Sequence, residues 1–281
     1  MLILGFAALG PVVYRINPAD IDTDLIGMPQ QPSSKHPAGT DGQGRDQLAR
    51  LMAGARISLA VGVVSCIINI VIGVGVGVAA GWAYSSGTTR GRLFDNFIMG
   101  GVDILYSIPF LLVVVLLQIF VKPWMESAVG GRNNVPLLLS PDLVSIYIAL
   151  GVTNWLTMAR LARGEVINQA RLDYVMAARS IGQRSHWILL RHIVPNCLGP
   201  LIVAATLAIP QAIFVESFLA YIGLGVSAPQ ASWGTMASDG LAYLSSSPHQ
   251  LLFPAIAISI TMLAFNLFGD GLRDALDPSS R

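Results

Sequence analysis

Acidic and amide side chains stranded in long apolar runs have the most chemistry to offer in this 281-residue chain. Asp103, Asn154, Glu216, Asn266 and Asp270 each sit among aliphatic and aromatic neighbours. Such groups are expensive in hydrocarbon and turn toward protein or a water-filled path. Asp103 lies shortly before Pro109 and Glu216 shortly after Pro210, and proline disturbs a helix and frees backbone carbonyls. Two readings follow for Asp103, Asn154 and Glu216: they line a pathway, or they lock helices together through hydrogen bonds. For the acids the lock weighs more, because a pathway for bulky and varied cargo needs no fixed charge. Asp270 reads as an interface residue, reached by snorkelling or by an arginine partner.

Other chemistries lack their residues. An intramembrane protease needs a nucleophile beside a base, or paired metal ligands, inside the apolar runs. His186, His192 and His249 fall in loops instead, and there is no His-Glu-x-x-His. Cys66 and Cys197 have no spacing for a metal site or a disulfide framework and read as buried thiols. The chain also lacks a Gly-x-x-x-x-Gly-Lys-Ser/Thr loop, so it is expected to bind no nucleotide, metal or other cofactor itself. A proton-coupled secondary transporter remains a competing class, because Asp103 and Glu216 are acids at membrane depth.

The elements that hold these residues are membrane helices. Apolar residues make up 53% of the chain and charged residues 12%, where a soluble domain carries about 25% charged. The mean hydropathy is +0.62. A net charge of +1 excludes strong attraction to nucleic acid. Crossing a bilayer takes about 20 apolar residues in helix. Five runs meet that length, at residues 57–84, 97–121, 143–163, 198–224 and 251–271. The opening run to Tyr14 is short, contains Pro11 and lacks a signal peptide's basic start, so it is read as the outer part of a first helix. The expected fold is all-α, with about six transmembrane helices, the first short or truncated. Residues 1–56 would hold that partial helix and an extracytoplasmic segment, and residues 57–281 a five-helix core.

Basic residues in short loops set the orientation. Arg90 and Arg92 in one loop, and Arg163, Arg171, Arg179, Arg184 and Arg191 in another, place both in the cytoplasm. Lys122 and Arg132 then fall outside. In the first long run, Gly73, Gly77 and Gly81 share one helical face and let another backbone come close. The surrounding Val-Gly alternation lacks the strand-turn-helix context of a dinucleotide site.

The basic stretch at residues 164–197 has the pattern of an elbow. Asp173 is positioned to cap a short helix from Tyr174 that Gly182 ends, and Ala177 and Ala178 allow a partner to approach. Ser185 is positioned to cap a second helix, with Pro195 marking the turn into the next span. Periodicity alone would equally allow an amphipathic hairpin resting on lipid headgroups.

The spacing Ala177-Ala178, Gly182, Val194-Pro195 resembles the "EAA" loop of ABC-importer permeases. His36-Pro-Ala-Gly-Thr-Asp-Gly-Gln-Gly-Arg-Asp46, Arg50, Gly54-Ala-Arg-Ile-Ser-Leu59, Ser232-Trp-Gly-Thr-Met236 and the run from Asn266 to Pro278 are similar to the C-type permease of dipeptide, oligopeptide and nickel importers. Three positions depart from the elbow pattern. Met176 stands where Glu is usual, His192 where Ile is, and Val194 replaces Leu.

The resemblance implies a multi-pass subunit in the membrane of a prokaryote, without catalysis of its own. It would pair with a second homologous permease, two ATP-binding subunits and an extracytoplasmic substrate-binding protein, with ATP and Mg held by the ATPases. The coupling residues would be Tyr174, Met176, Ala177, Ala178, Arg179, Gly182, Arg184 and Pro195. The cargo would be di- or oligopeptides, with nickel chelates, glutathione or haem as alternatives. Residues 123–141 look longer than is usual in such permeases and read either as a docking loop for the binding protein or as a solvated spacer. The segment around Trp233 is expected to dip toward the pathway, with the indole at the interface level.

Overall fold

The computed structural model describes residues 2–129 and 136–276. Every element among them is helical. A short apolar helix, α1 (Leu2–Val13), precedes an irregular segment and a long first span. That span runs as α2 (Gln47–Ile68), a wide π turn over Asn69–Val74, and α3 (Gly75–Ser85). Then come α4 (Thr89–Ser107), α5 (Phe110–Val129) and α6 (Pro141–Gln169). The elbow is α7 (Asp173–Ser180) and α8 (Ser185–Ile188), which continues through a second π turn, Leu189–Ile193, into α9 (Val194–Tyr221). A short α10 (Trp233–Leu241) and α11 (His249–Leu276) are the last of the described helices. Among the described residues five stretches are long and apolar enough to cross a membrane: Gln47–Ser85, Phe110–Ala128, Pro141–Gln169, Ser185–Tyr221 and His249–Leu276.

The run at residues 97–121, expected as one span, is two helices. Pro109 crowds the backbone of the residue before it and drives Ile108 to an extended conformation (φ −79°, ψ 134°), so α4 stops and α5 starts afresh. From there α5 runs on to Val129, which puts Pro123 and Trp124 in a helix rather than a loop. Residues 130–135 of the outer segment read as docking loop or spacer, with Arg132, lie outside the described residues.

Two caps also differ from expectation. Asp173 is the first residue of α7, and the helix is started by backbone instead, with the Leu172 carbonyl accepting from the Val175 N–H at 3.0 Å. Ser185 likewise begins α8 rather than capping it. Pro195 breaks nothing: α9 runs through it, because a proline cannot bond the carbonyl four residues back, and the π turn just before it absorbs that conflict. The Val194 N–H reaches the Leu189 carbonyl, five residues earlier.

The chain divides into two compact units. The first comprises residues 1–63, 117–148 and 209–265. Its core holds Ile57, Val61, Leu143, Ile146, Ala212, Ile213, Leu219, Trp233 and Met236. Trp233, expected at the interface, is 1% exposed and donates from Nε1 to the Leu51 carbonyl at 3.0 Å. Ser232 starts α10 with a reciprocal pair of bonds to Thr235, a capping box in which threonine replaces the usual acid. The second unit comprises residues 64–116, 149–208 and 266–281, where Ala80, Met99, Val102, Leu156 and Ala159 pack together.

In the second unit α6 lies directly on the glycine face of the first span. A Cβ at Gly73 would fall 2.6 Å from the Met158 side chain, one at Gly77 2.7 Å from Ala162, and one at Gly81 2.8 Å from the Arg163 carbonyl. Real contacts of a Cβ are longer, so only hydrogen fits at these three sites.

Candidate functional site

The elbow is built to hold its shape. Gly182 has φ +77°, a region other residues enter only at a cost, and it ends α7 in a Schellman motif. The Gly182 N–H bonds the Arg179 carbonyl at 3.0 Å, and the Gln183 N–H bonds the Ala178 carbonyl at 3.2 Å. Side chains then tie the elbow to its flanking helices. Tyr174 donates to Gln169 at 2.7 Å and accepts from Asn196 at 3.4 Å, and Gln183 meets His192 at 3.1 Å. Burial pushes the Tyr174 phenol above its ordinary value, so it stays a donor. The Arg179 guanidinium lies 5.6 Å from the Trp82 ring centre, beside a cavity of about 290 Å3 lined by Trp82, Ser86, Arg179, Gln183, Ser185 and Ile188.

The two alanines have different roles. Ala178 is buried with Val175 against the protein, whereas Ala177 faces out. Beside it on the outer surface of the elbow stand Leu172, Met176, Ile181, Trp187 and Leu190, all exposed, and Ile181 is 82% exposed. These apolar side chains are exposed among the basic residues of the loop. Arg184 precedes α8, where its carbonyl accepts from Trp187 and Ile188, and Pro195 is exposed near the start of α9.

The polar residues of the spans fall into contrasting environments. Glu216 is fully buried in the first unit, where Ser58 donates to its Oε2 at 3.2 Å and itself accepts from the Trp233 N–H at 3.2 Å. That arrangement binds α9, α2 and α10 into one cluster. Asp103, in the second unit, is exposed and pairs with Arg160 at 2.7 Å. Asn154 is half-buried, and Asp270 is exposed with no arginine beside it among the described residues.

Sequence reading missed the strongest pair in the second unit. Asp95, 1% exposed, accepts two bonds from Arg163, Nε to Oδ1 at 2.6 Å and Nη2 to Oδ2 at 2.7 Å. This fork joins α4 to α6 with the bidentate geometry that only arginine offers. The available signal was two acids on α4 facing two arginines one turn apart on α6.

A second constellation occupies the irregular segment before α2. Asp41 accepts from the side chains of Arg45 and Arg50 and from the backbone N–H groups of Gln43 and Arg45. Asp46 caps α2 through the Ala49 N–H at 2.8 Å, and it takes a bond from Tyr14 at 2.8 Å and a contact with His36 at 2.8 Å. Burial and the adjacent carboxylate push the Tyr14 phenol up to about 12. Arg45 and Arg50 also line a cavity of about 350 Å3 with Gln43, Gln230 and Asp239. No cluster of three or more metal-ligating side chains occurs among the described residues.

This arrangement of helices is found in a chain of a solved ABC transporter. A chain of the MetNI methionine ABC transporter, solved in an inward-facing conformation, superposes with a TM-score of 0.62 at 19% identity, covering 80% of this chain and 94% of that one. The chain belongs to the family of binding-protein-dependent transport system inner membrane components, whose family model matches residues 57–281. It is 42% identical to the oligopeptide transport system permease protein OppC of Bacillus subtilis, over 100% of this chain and 83% of that protein. Identity to OppC of Escherichia coli is 38%, over 100% and 85%, and to the dipeptide permease DppC of Bacillus subtilis 44%, over 89% and 71%.

Proposed function

We propose that this chain is one of two membrane subunits of an ATP-driven importer of di- or oligopeptides, and that α7 is the helix through which a partner ATPase moves it. One observation carries the reading: a rigid elbow, ended by Gly182 and tied to α6 and α9, presents an apolar surface centred on Met176 and Ile181. A companion permease offers a like elbow to a second ATPase. ATP binding closes the two ATPases together, carries both elbows inward and opens the path to the outside, where a binding protein hands over the peptide. Hydrolysis resets the inward-facing state. The switch is a rigid-body motion between two packed arrangements, biased by nucleotide on the partners. ATP and Mg belong to those partners, and this chain supplies stiffness and a path.

Met176 changes the chemistry of the contact. Where a glutamate would pair with a basic group, a thioether fills an apolar socket and adapts to its shape.

The test is co-purification. The tagged chain, expressed with its partners, retains the ATPase subunits, and changing Ala178→Glu together with Gly182→Trp abolishes retention. Ile181→Asp, which leaves the backbone of the elbow alone, weakens retention at least about tenfold, the loss of an interface anchor. Full retention and transport in both variants would defeat the reading.

A further inference from the structure

We propose that Asp103 and Arg160 line a water-filled path on this chain and exchange their mutual ion pair for the charged groups of a passing peptide. The proposal rests on the peptide-importer reading above. Arg160 and Arg163 sit one turn apart on α6, and their partners on α4 differ. Asp95 is sealed beneath Arg163, whereas Asp103 is 65% exposed and Arg160 37% exposed. The first pair is a fastening. The second stands open.

Its position decides what it faces. Arg160 is about 14 Å short of the end of α6 at Gln169, at 1.5 Å per residue, and Asp103 about 21 Å along α4 from Thr89. Arg160 lies one turn inside Arg163, so the pair stands toward the inner end of the span, and an open ion pair there faces water rather than hydrocarbon, where both charges would lose their solvation. Polar residues are exposed around it, beside the apolar Phe97 and Ile104 of the same helix. On α4 the exposed residues Asn96, Asp103 and Ser107 recur at helical spacing, and on α6 Thr157 is exposed one turn before Arg160. The outward face of α11 shows the opposite character, with Leu252, Ile256, Ile260, Leu263 and Leu267 all exposed, as a lipid-facing surface requires.

The geometry also suits exchange. The Arg160 guanidinium lies 3.9 Å from the centre of the Tyr106 ring, which holds it in place when its carboxylate partner turns away. Peptides carry an ammonium and a carboxylate, and often further charges in their side chains. A cargo carboxylate taken by Arg160 frees Asp103 to take a cargo ammonium, so the path never holds an unpaired charge. Open ion pairs are weak enough to part in this way.

Uptake of Ala-Glu-Ala, Ala-Lys-Ala and Ala-Ala-Ala by the complete transporter in proteoliposomes tests the exchange. Arg160→Gln lowers uptake of Ala-Glu-Ala relative to Ala-Ala-Ala about fivefold, and Asp103→Asn does the same to Ala-Lys-Ala, the size of a partly exposed ion pair. Ser107→Cys and Thr157→Cys, with Cys66 and Cys197 replaced by Ala, react with a permanently charged methanethiosulfonate, and saturating Ala-Ala-Ala slows them. Ile260→Cys, facing lipid, does not react. Unchanged uptake ratios in both charge variants overturn the exchange, and cysteines at 107 and 157 as inert as at 260 overturn the wet lining. A wild-type complex that takes up none of the three peptides overturns the exchange together with the import reading, and labelling alone then decides the lining.

Discussion

Arg163 holds one end of the second unit together, and its loss exposes what the fork was hiding. Arg163→Ala leaves Asp95 buried with no partner, which costs about 3 kcal/mol or more, the penalty for breaking a buried ion pair. Asp95→Asn combined with Arg163→Gln removes both charges and costs less. Thermal unfolding of the purified transporter, single variants against double, reads the difference. A double variant as damaged as the single would mean that packing, not charge, dominates. The acids of the spans were conspicuous in the sequence, because each interrupts a long apolar run. Their roles were not legible, since Asp103 and Glu216 are the same kind of group in the same kind of context. Only the neighbours brought by folding separate them: Ser58 and Trp233 close over Glu216, while Arg160 and Tyr106 leave Asp103 open. Asp95 escaped notice for the converse reason, being close enough to Arg90 and Arg92 to pass for part of a solvated loop.

At the scale of the helix, the glycine face of the first span sets how near α6 can come. Gly77→Leu places a branched side chain where the Ala159 carbonyl and Ala162 now stand, and no rotamer avoids both. The variant protein is expected to lose most of its folded yield in the membrane, whereas Gly75→Leu, with open space around it, is tolerated. Fluorescence-detected gel filtration of the two variants checks this, and equal profiles would show that α6 moves aside. Four-residue glycine spacing made this contact readable without coordinates, because a small face on an apolar helix has few other uses. The helix ends were less readable. Pro109 and Pro195 look alike in sequence, yet one separates two helices and the other is carried within one. The difference lies in the turn before each: residues 189–193 widen to spare Pro195 its clash, and nothing in local composition announces that widening.

For the whole molecule, family and fold were legible because several motifs far apart in sequence fall on one importer pattern. Alternation of the helices leads us to expect the segment before α2 on the outer side. Its ion pairs are buried there, with Asp41 and Arg45 each 5% exposed and Arg50 3% exposed. Mobile ions weaken charges they can surround and leave enclosed pairs almost untouched. Amide-exchange protection at residues 47–50 is therefore expected to stay constant from dilute buffer to about 1 M salt, where the screening length is about 3 Å. Protection that collapses at high salt would mean these pairs open to solvent. Fresh water and brine surround a cell with very different ion atmospheres. A segment whose charges lie beyond their reach keeps one contour in both.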